Sequence, residues 1–118
     1  DRPYTDKEID LISRVITHEA GNQSLEGKIA VGDVILHRVE SKGLGFADTV
    51  SGVLYQKNQF TGATNCTPNA QSIIAAKLAA DGAEVVPGAY WFNGVNGHVF
   101  SFAKRLYVIG DHAFYGRK

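Results

Sequence analysis

Apolar residues recur at three- and four-residue intervals through the first two-thirds of the chain, then shift to a shorter period. After the Thr5-Asp6-Lys7-Glu8 run come Ile9, Ile12, Val15 and Ile16, all on one helical face, with Glu19 continuing that stripe. Thr5 and Glu8 have capping-box spacing, the hydroxyl and carboxylate satisfying each other's free backbone donors. The pattern predicts a helix from there to Gly21, a natural stop. Ser24 is placed to cap a second helix running to about Ser41. Its interior, EGKIAVGDVILHRV, is apolar nearly all round and carries Gly27 and Gly32, so it reads as a central buried helix with close neighbours.

A short helix is expected around Thr49 to Tyr55. The segment QKNQFTGATNCTPN is polar and includes side chains suited to facing a groove. Thr67-Pro68 is expected to start a further helix, with proline at its first helical position, ending near Asp81-Gly82. From Ala89 onward AYWFN and HVFSFA read as two strands joined by GVNG, a hairpin signal, with LYVIGDHAFY closing the chain in extended or loop form. No repeat, linker or low-complexity segment interrupts the 118 residues, so one α+β domain over 1–118 is the expectation.

Charge and composition narrow the function. Twelve basic and twelve acidic residues cancel, so the basic excess of a nucleic-acid module is missing. Apolar residues make up 44 %, enough to fill one core, and a monomer is expected. Cys66 stands alone and cannot form an intrachain disulfide. No apolar run reaches membrane-spanning length. The opening residues DRPYTDKE are not a signal peptide, and a start on Asp rather than Met raises the expectation that a leader was removed.

Thr17-His18-Glu19 invites a zinc-protease reading, which fails on spacing. That motif needs a second histidine four residues after the first, and Asn22 is there instead; His37, His98 and His112 show no ligand spacing. No metal or cofactor is expected. A Cys-His site is no better supported, because nothing brings a histidine to Cys66, which reads as a small loop or core thiol.

Glu19 is the remaining candidate. A carboxylate at the end of an apolar stripe loses hydration, which favours its protonated form, as a general acid for glycosidic bonds requires. The plainer alternative is a Glu reaching solvent from the helix end, or pairing with Arg38 or Lys28. The residues alone leave both open.

The run EAGNQSLEGKIAVGDVILHRV resembles the pattern E-A-R-G-E-x-x-E-G-x-x-A-V-A-x-V-I-L-N-R-V of the SleB/CwlJ-type cell-wall hydrolases, which include the spore-cortex-lytic enzymes of endospore-forming bacteria. VSGVLYQKNQF, GAYWFN and IGDHAFY follow in the same order, so the resemblance extends from about Asp10 to Tyr115. It implies a lysozyme-like, resuscitation-factor-like fold, mainly helical with a small C-terminal β-hairpin. It also implies a catalytic Glu ending the first helix, at Glu19, facing a groove for peptidoglycan glycan strands. An extracytoplasmic place, in the cell wall or spore cortex, and roles in sporulation and germination go with it. Two departures stand out: the family's Arg-Gly-Glu is Gly21-Asn22-Gln23, and its Asn of LNRV is His37.

On that resemblance Glu19 is the expected acid and base of a lytic transglycosylase that leaves 1,6-anhydro-muramic ends. A lysozyme-type muramidase, a non-catalytic glycan-binding module and a structural protein of a spore or phage particle are the alternatives. No second carboxylate is obviously poised among Glu26, Asp33, Asp48, Asp81 and Asp111. Tyr90, Trp91 and Asn93 are candidate glycan contacts. Strand alternation pairs Tyr90 with Phe92 and Trp91 with Asn93, and the second pair is assigned to the groove. Gln59 is assigned to a glycan or Glu19 hydrogen bond and Phe60 to packing beneath the groove. His112 reads as a lock on the C-terminal segment, and Lys57, Lys104 and Arg105 as solvated cations within reach of peptide-stem carboxylates.

Overall fold

The structure is a computed structural model and describes residues 3–56, 60 and 62–118. The first helix, α1, covers Asp6–Ala20, and its capping box forms as the sequence predicts. The Glu8 amide donates to Thr5 Oγ1 at 3.1 Å, and the Thr5 amide donates to the Glu8 carboxylate at 2.8 Å. Ile9, Ile12, Val15, Ile16 and Ala20 are buried along one face. The helix stops at Gly21, where a Cβ would lie 2.5 Å from the Thr17 carbonyl oxygen, leaving no room for a side chain.

The second helix, α2, covers Leu25–Glu40 and is capped by Ser24, whose hydroxyl accepts from the Gly27 amide at 3.2 Å. It is buried without a break from Gly27 to Leu36, the expectation for a central helix. The two neighbours converge on it at Gly32, where a Cβ would lie 3.1 Å from the Ala79 methyl and 3.3 Å from Ile16 Cδ1. Glycine here costs helix propensity but lets the backbones approach.

Helix α3, Val50–Tyr55, is capped by Thr49. Helix α4, Ala70–Ala80, begins later than expected: Asn69 is its cap, accepting from the Ser72 amide at 2.8 Å, and Pro68 stands outside the helix. Asn is a stronger cap than Thr67, and its own amide donates to Thr17 Oγ1 at 3.1 Å, which ties α4 to α1. The helix ends before Gly82, which adopts φ +103°.

Strands β1 (Ala89–Gly94), β2 (Ala103–Ile109) and β3 (His112–Arg117) form one antiparallel sheet in the order β1-β3-β2. The C-terminal hairpin exists, but it is β2 with β3, joined at Gly110-Asp111, and not AYWFN with HVFSFA. GVNG does turn, with the Gly97 amide on the Gly94 carbonyl at 2.9 Å, yet the chain leaving it is a loop. The pairing edge of β1 is taken by β3, whose Ala113, Phe114, Tyr115 and Gly116 are buried in succession, as suits a central strand covered on both faces. Phe114 joins the helical core, and Tyr115 joins a second cluster with Ala103 and Ala113 across the sheet. Among the described residues no helix is long and apolar enough to cross a membrane.

Asp33 is buried on the side of α2 facing the link from α4 to β1, where its carboxylate accepts from the Val85 amide at 2.8 Å. Burial pushes its carboxyl up to about 6, against the Val85 amide and His37, which pull the other way. The folded state thus holds this proton more tightly than the unfolded chain does. The resulting stability is complete below about pH 4 and is lost as pH rises through about 6.

Two outcomes follow for stability. Gly32→Val overfills the α1–α2–α4 contact and should destabilise by about 1–3 kcal/mol, read as a lower urea midpoint with an unchanged slope. Asp33→Asn should remove the decline between about pH 4 and 7. Relative to the parent it gains up to about 3 kcal/mol over that interval, measured by urea unfolding at both pH values.

Candidate active site

Glu19 is one residue from the end of α1, where the buried stripe of that helix brings it to a groove of about 370 Å³. Its side chain keeps 29 % of its accessible surface, so dehydration is partial, and His18 Nε2 is 4.0 Å from its carboxylate. Arg38 and Phe60 line the groove beside it, and Trp91, Phe92, Phe100 and Phe102 complete the wall. Glu19 is the one acid among these lining residues.

Much of the wall comes from β1, an edge strand of the sheet. The β1–β3 register shifts between Ala89 and Trp91, after which Trp91 pairs with Tyr115 and Phe92 with Phe114. Trp91 and Phe92 keep the ordinary alternation, Trp91 packing with the Tyr115 cluster and Phe92 with the helical core, and both border the groove at this edge strand. The irregularity falls at Tyr90, before both of them. Phe92 stacks on Phe60 with ring centroids 6.3 Å apart, and Phe60 is almost fully buried, forming the floor.

The loop after GVNG supplies the opposite lip. Phe100 packs 4.7 Å from Tyr115 and stacks on Phe102 at 5.2 Å, and Phe102 meets Trp91 edge-on at 5.3 Å. Phe102 is 57 % exposed, a large apolar face left to solvent at the groove's edge. Phe100 and Phe102 carry no sequence signal beyond their spacing, which a strand would equally produce.

The other candidates are distributed as follows. Tyr90 is turned away from the groove, stacked on Phe46 at 6.3 Å with its ring edge near His37. Asn93 donates from its side-chain amide to the His98 carbonyl and so closes the turn after β1. His112 packs edge-on against Phe92 at 5.5 Å, at the start of β3. Gln59 and Lys57 lie outside the described residues. Asp48 and Asp81 are exposed, Glu26 sits in the exposed first turn of α2, and Asp111 occupies the β2–β3 turn.

Sequence reasoning treated Arg38 only as a possible partner of Glu19. The structure makes it part of the groove. It is 4 % exposed, its Nε donates to the Tyr90 carbonyl at 2.7 Å, and its guanidinium is 4.9 Å from the Phe46 ring and 5.4 Å from the Phe60 ring. Burial pulls it down to about 10, which still leaves it charged at neutral pH. Arg38 and Trp91 also border an adjoining cavity of about 220 Å³ with Phe46 and Gln56, so the groove continues past them. A cation in the last turn of an apolar helix was the available signal.

Among the described residues no three His, Cys, Asp or Glu side chains gather to hold a metal ion. The groove combines one carboxylate, one buried cation and several aromatic faces. That combination can move a proton beside a ligand that has both apolar faces and polar edges.

The family model described as Cell Wall Hydrolase matches residues 22–115, a stretch that begins three residues after Glu19. The chain is 33 % identical over 119 residues to the spore cortex-lytic enzyme of Halalkalibacterium halodurans and 31 % identical to that of Oceanobacillus iheyensis; each match covers 94 % of this chain. The chain spans 35 % and 42 % of the length of those two relatives. The fold is similar to the crystal structure of the catalytic domain of the Bacillus cereus SleB protein, with a TM-score of 0.83 and 27 % identity over 98 % of this chain and 94 % of that one. The catalytic domain of the germination-specific lytic transglycosylase SleB from Bacillus anthracis matches at a TM-score of 0.85 and 26 % identity over 98 % of both chains. With four-fifths of its residues under the family model and curated relatives matching nearly all of it, this chain belongs to the cell wall hydrolase family of enzymes.

Proposed function

We propose that this domain cleaves the glycan strands of peptidoglycan between N-acetylmuramic acid and N-acetylglucosamine, as a lytic transglycosylase in which Glu19 is acid and then base. The observation that carries this reading is a single carboxylate, among the described residues, at an aromatic-lined groove. Two-acid glycosidases need a partner carboxylate across the bond, and among the described residues no second acid lines this groove. The name of the Bacillus anthracis relative, a lytic transglycosylase, points the same way. The domain acts as a monomer outside the cytoplasm, on cell wall or spore cortex.

Glu19, protonated, gives its proton to the oxygen linking the two sugars, and the muramic C1–O bond breaks. The N-acetyl carbonyl oxygen of the same sugar stabilises the cationic C1. Glu19, now a carboxylate, takes the proton of the muramic C6 hydroxyl as O6 bonds to C1. The products are a free glucosamine hydroxyl and a 1,6-anhydro end, and Glu19 is again protonated. No water is consumed, so one acid suffices. The pyranose C–H faces suit Trp91 and Phe102, Phe60 and Phe92 carry the floor, and Arg38 offers a cation to polar substituents. Tyr90 and Asn93 contribute by shaping this wall from behind and from its turn, and Gln59 remains a candidate hydrogen-bond donor to the glycan.

Glu19→Gln should lower muropeptide release from purified peptidoglycan by roughly 10²–10⁴-fold while glycan binding persists. Mass spectrometry of the parent's products decides the route. Ends lighter by one water mark the transglycosylase; reducing muramic ends would assign a lysozyme-type hydrolase instead. Release of nothing from either cell wall or cortex, with binding intact, would mark a binding module. Trp91→Ala should weaken glycan binding by roughly 1 kcal/mol, about fivefold in Kd, with a preserved circular-dichroism spectrum.

A further inference from the structure

Accepting Glu19 as the acid, we propose that Gln23 is a positioning residue: its side-chain amide, doubly bonded to Asp111, sets the separation between the Glu19 end of α1 and the aromatic wall. Gln23 follows Glu19 by four residues and is fastened to α1, its amide donating to the Ala20 carbonyl at 3.0 Å. Its side-chain oxygen accepts from the Asp111 backbone amide at 3.0 Å, and its side-chain nitrogen donates to the Asp111 carboxylate, also at 3.0 Å. Gly110 adopts φ +57°, and a Cβ there would lie 2.3 Å from the Gln23 oxygen, so the turn is shaped around this amide.

Asp111 passes the link on to the wall. Its carbonyl accepts from the Val95 amide at 2.8 Å, just past the end of β1, and the next residue, His112, packs on Phe92. Behind Gln23, the buried Lys28 donates to its carbonyl at 2.9 Å and to the Gln71 side chain. At the opposite end of β1, α2 holds the strand through Arg38 on the Tyr90 carbonyl and His37 on the Ala89 carbonyl. The wall is thus pinned at both ends, and the Gln23–Asp111 pair is the pin nearer the acid's own helix end.

The polarity of the pair matters. Opposite an Asp that presents a backbone N–H and a carboxylate, a neutral amide can both accept and donate. A Glu at this position, as in the family pattern, would face Asp111 with a second carboxylate. Among the described residues, Asp111 itself, Lys28 on the Gln23 carbonyl and the adjacent His112 are charged or titratable groups at that pair.

The test is Gln23→Glu alone and combined with Asp111→Asn, assayed for muropeptide release across about pH 4–8, with amide hydrogen exchange on parent and Gln23→Ala. At neutral pH Gln23→Glu should lose roughly ten- to a hundredfold in kcat through misplacement of the bond. KM should stay within about twofold. The deficit should shrink towards the acid end of that range, where a shared proton lets the carboxyl pair bond as the amide did. The double variant, Gln23→Glu with Asp111→Asn, reverses donor and acceptor between the two side chains and should recover most of the loss at neutral pH. Exchange at the Asp111 amide should quicken in Gln23→Ala. Parental kcat in Gln23→Glu at every pH, or a folded double variant without recovery, would overturn the proposal. A parent that releases nothing would defeat the enzymatic reading and, with it, the catalytic role of Gln23. Exchange at Asp111 then separates the two failures: quickened in Gln23→Ala, it retains the lock as a structural tie; unchanged, it removes the lock too.

Discussion

The close approach of α1 and α4 to α2 at Gly32 is the constraint on which the rest depends. A Cβ at that point would press on both the Ala79 methyl and Ile16. With glycine there, the interior of α2 is covered nearly all round, and at this crossing its neighbours lock against it through Ile12, Ile16 and Ala79. Dispersion and burial over so many apolar contacts give this part of the fold its rigidity. Glu19 shares in that rigidity because it ends the buried stripe of α1, which fixes its carboxylate at the groove.

Two of the buried ionisable residues on α2, Asp33 and Arg38, have opposite tasks. Asp33 points to the link before β1 and holds it by the Val85 amide, and burial makes its ionisation costly. Arg38, little more than one turn later, points to the groove and keeps its charge while packed between Phe46 and Phe60. Aromatic faces and the Tyr90 carbonyl replace part of the lost hydration. One helix therefore sets both the start of β1 and the floor of the groove.

The sheet is small, yet its edge strand supplies much of what the groove presents. The shift at Tyr90 leaves its carbonyl to meet Arg38, while Trp91 and Phe92, on opposite faces of the edge strand, both border the groove. The loop carrying Phe100 and Phe102 then folds back on Trp91 and Tyr115, so the lip is built of contacts between segments distant in sequence. Apolar exposure at Phe102 is stable here because its neighbours are themselves aromatic and fixed.

The helices, their caps and Glu19 at the end of a buried stripe were legible in the chain itself, because capping boxes and 3.6-residue periodicity are local. The start of α4 was misjudged by a few residues, since two cap residues stood close together and a contact with Thr17 favoured the second. Strand pairing was not legible: Gly110-Asp111 and GVNG are both turn signals, and only the burial of β3 on both faces selects which strands meet. The aromatic lip, the inward Arg38 and the Gln23–Asp111 tie likewise belong to tertiary structure. Each joins residues whose neighbours in sequence say nothing about one another, and long-range packing alone brings them within reach.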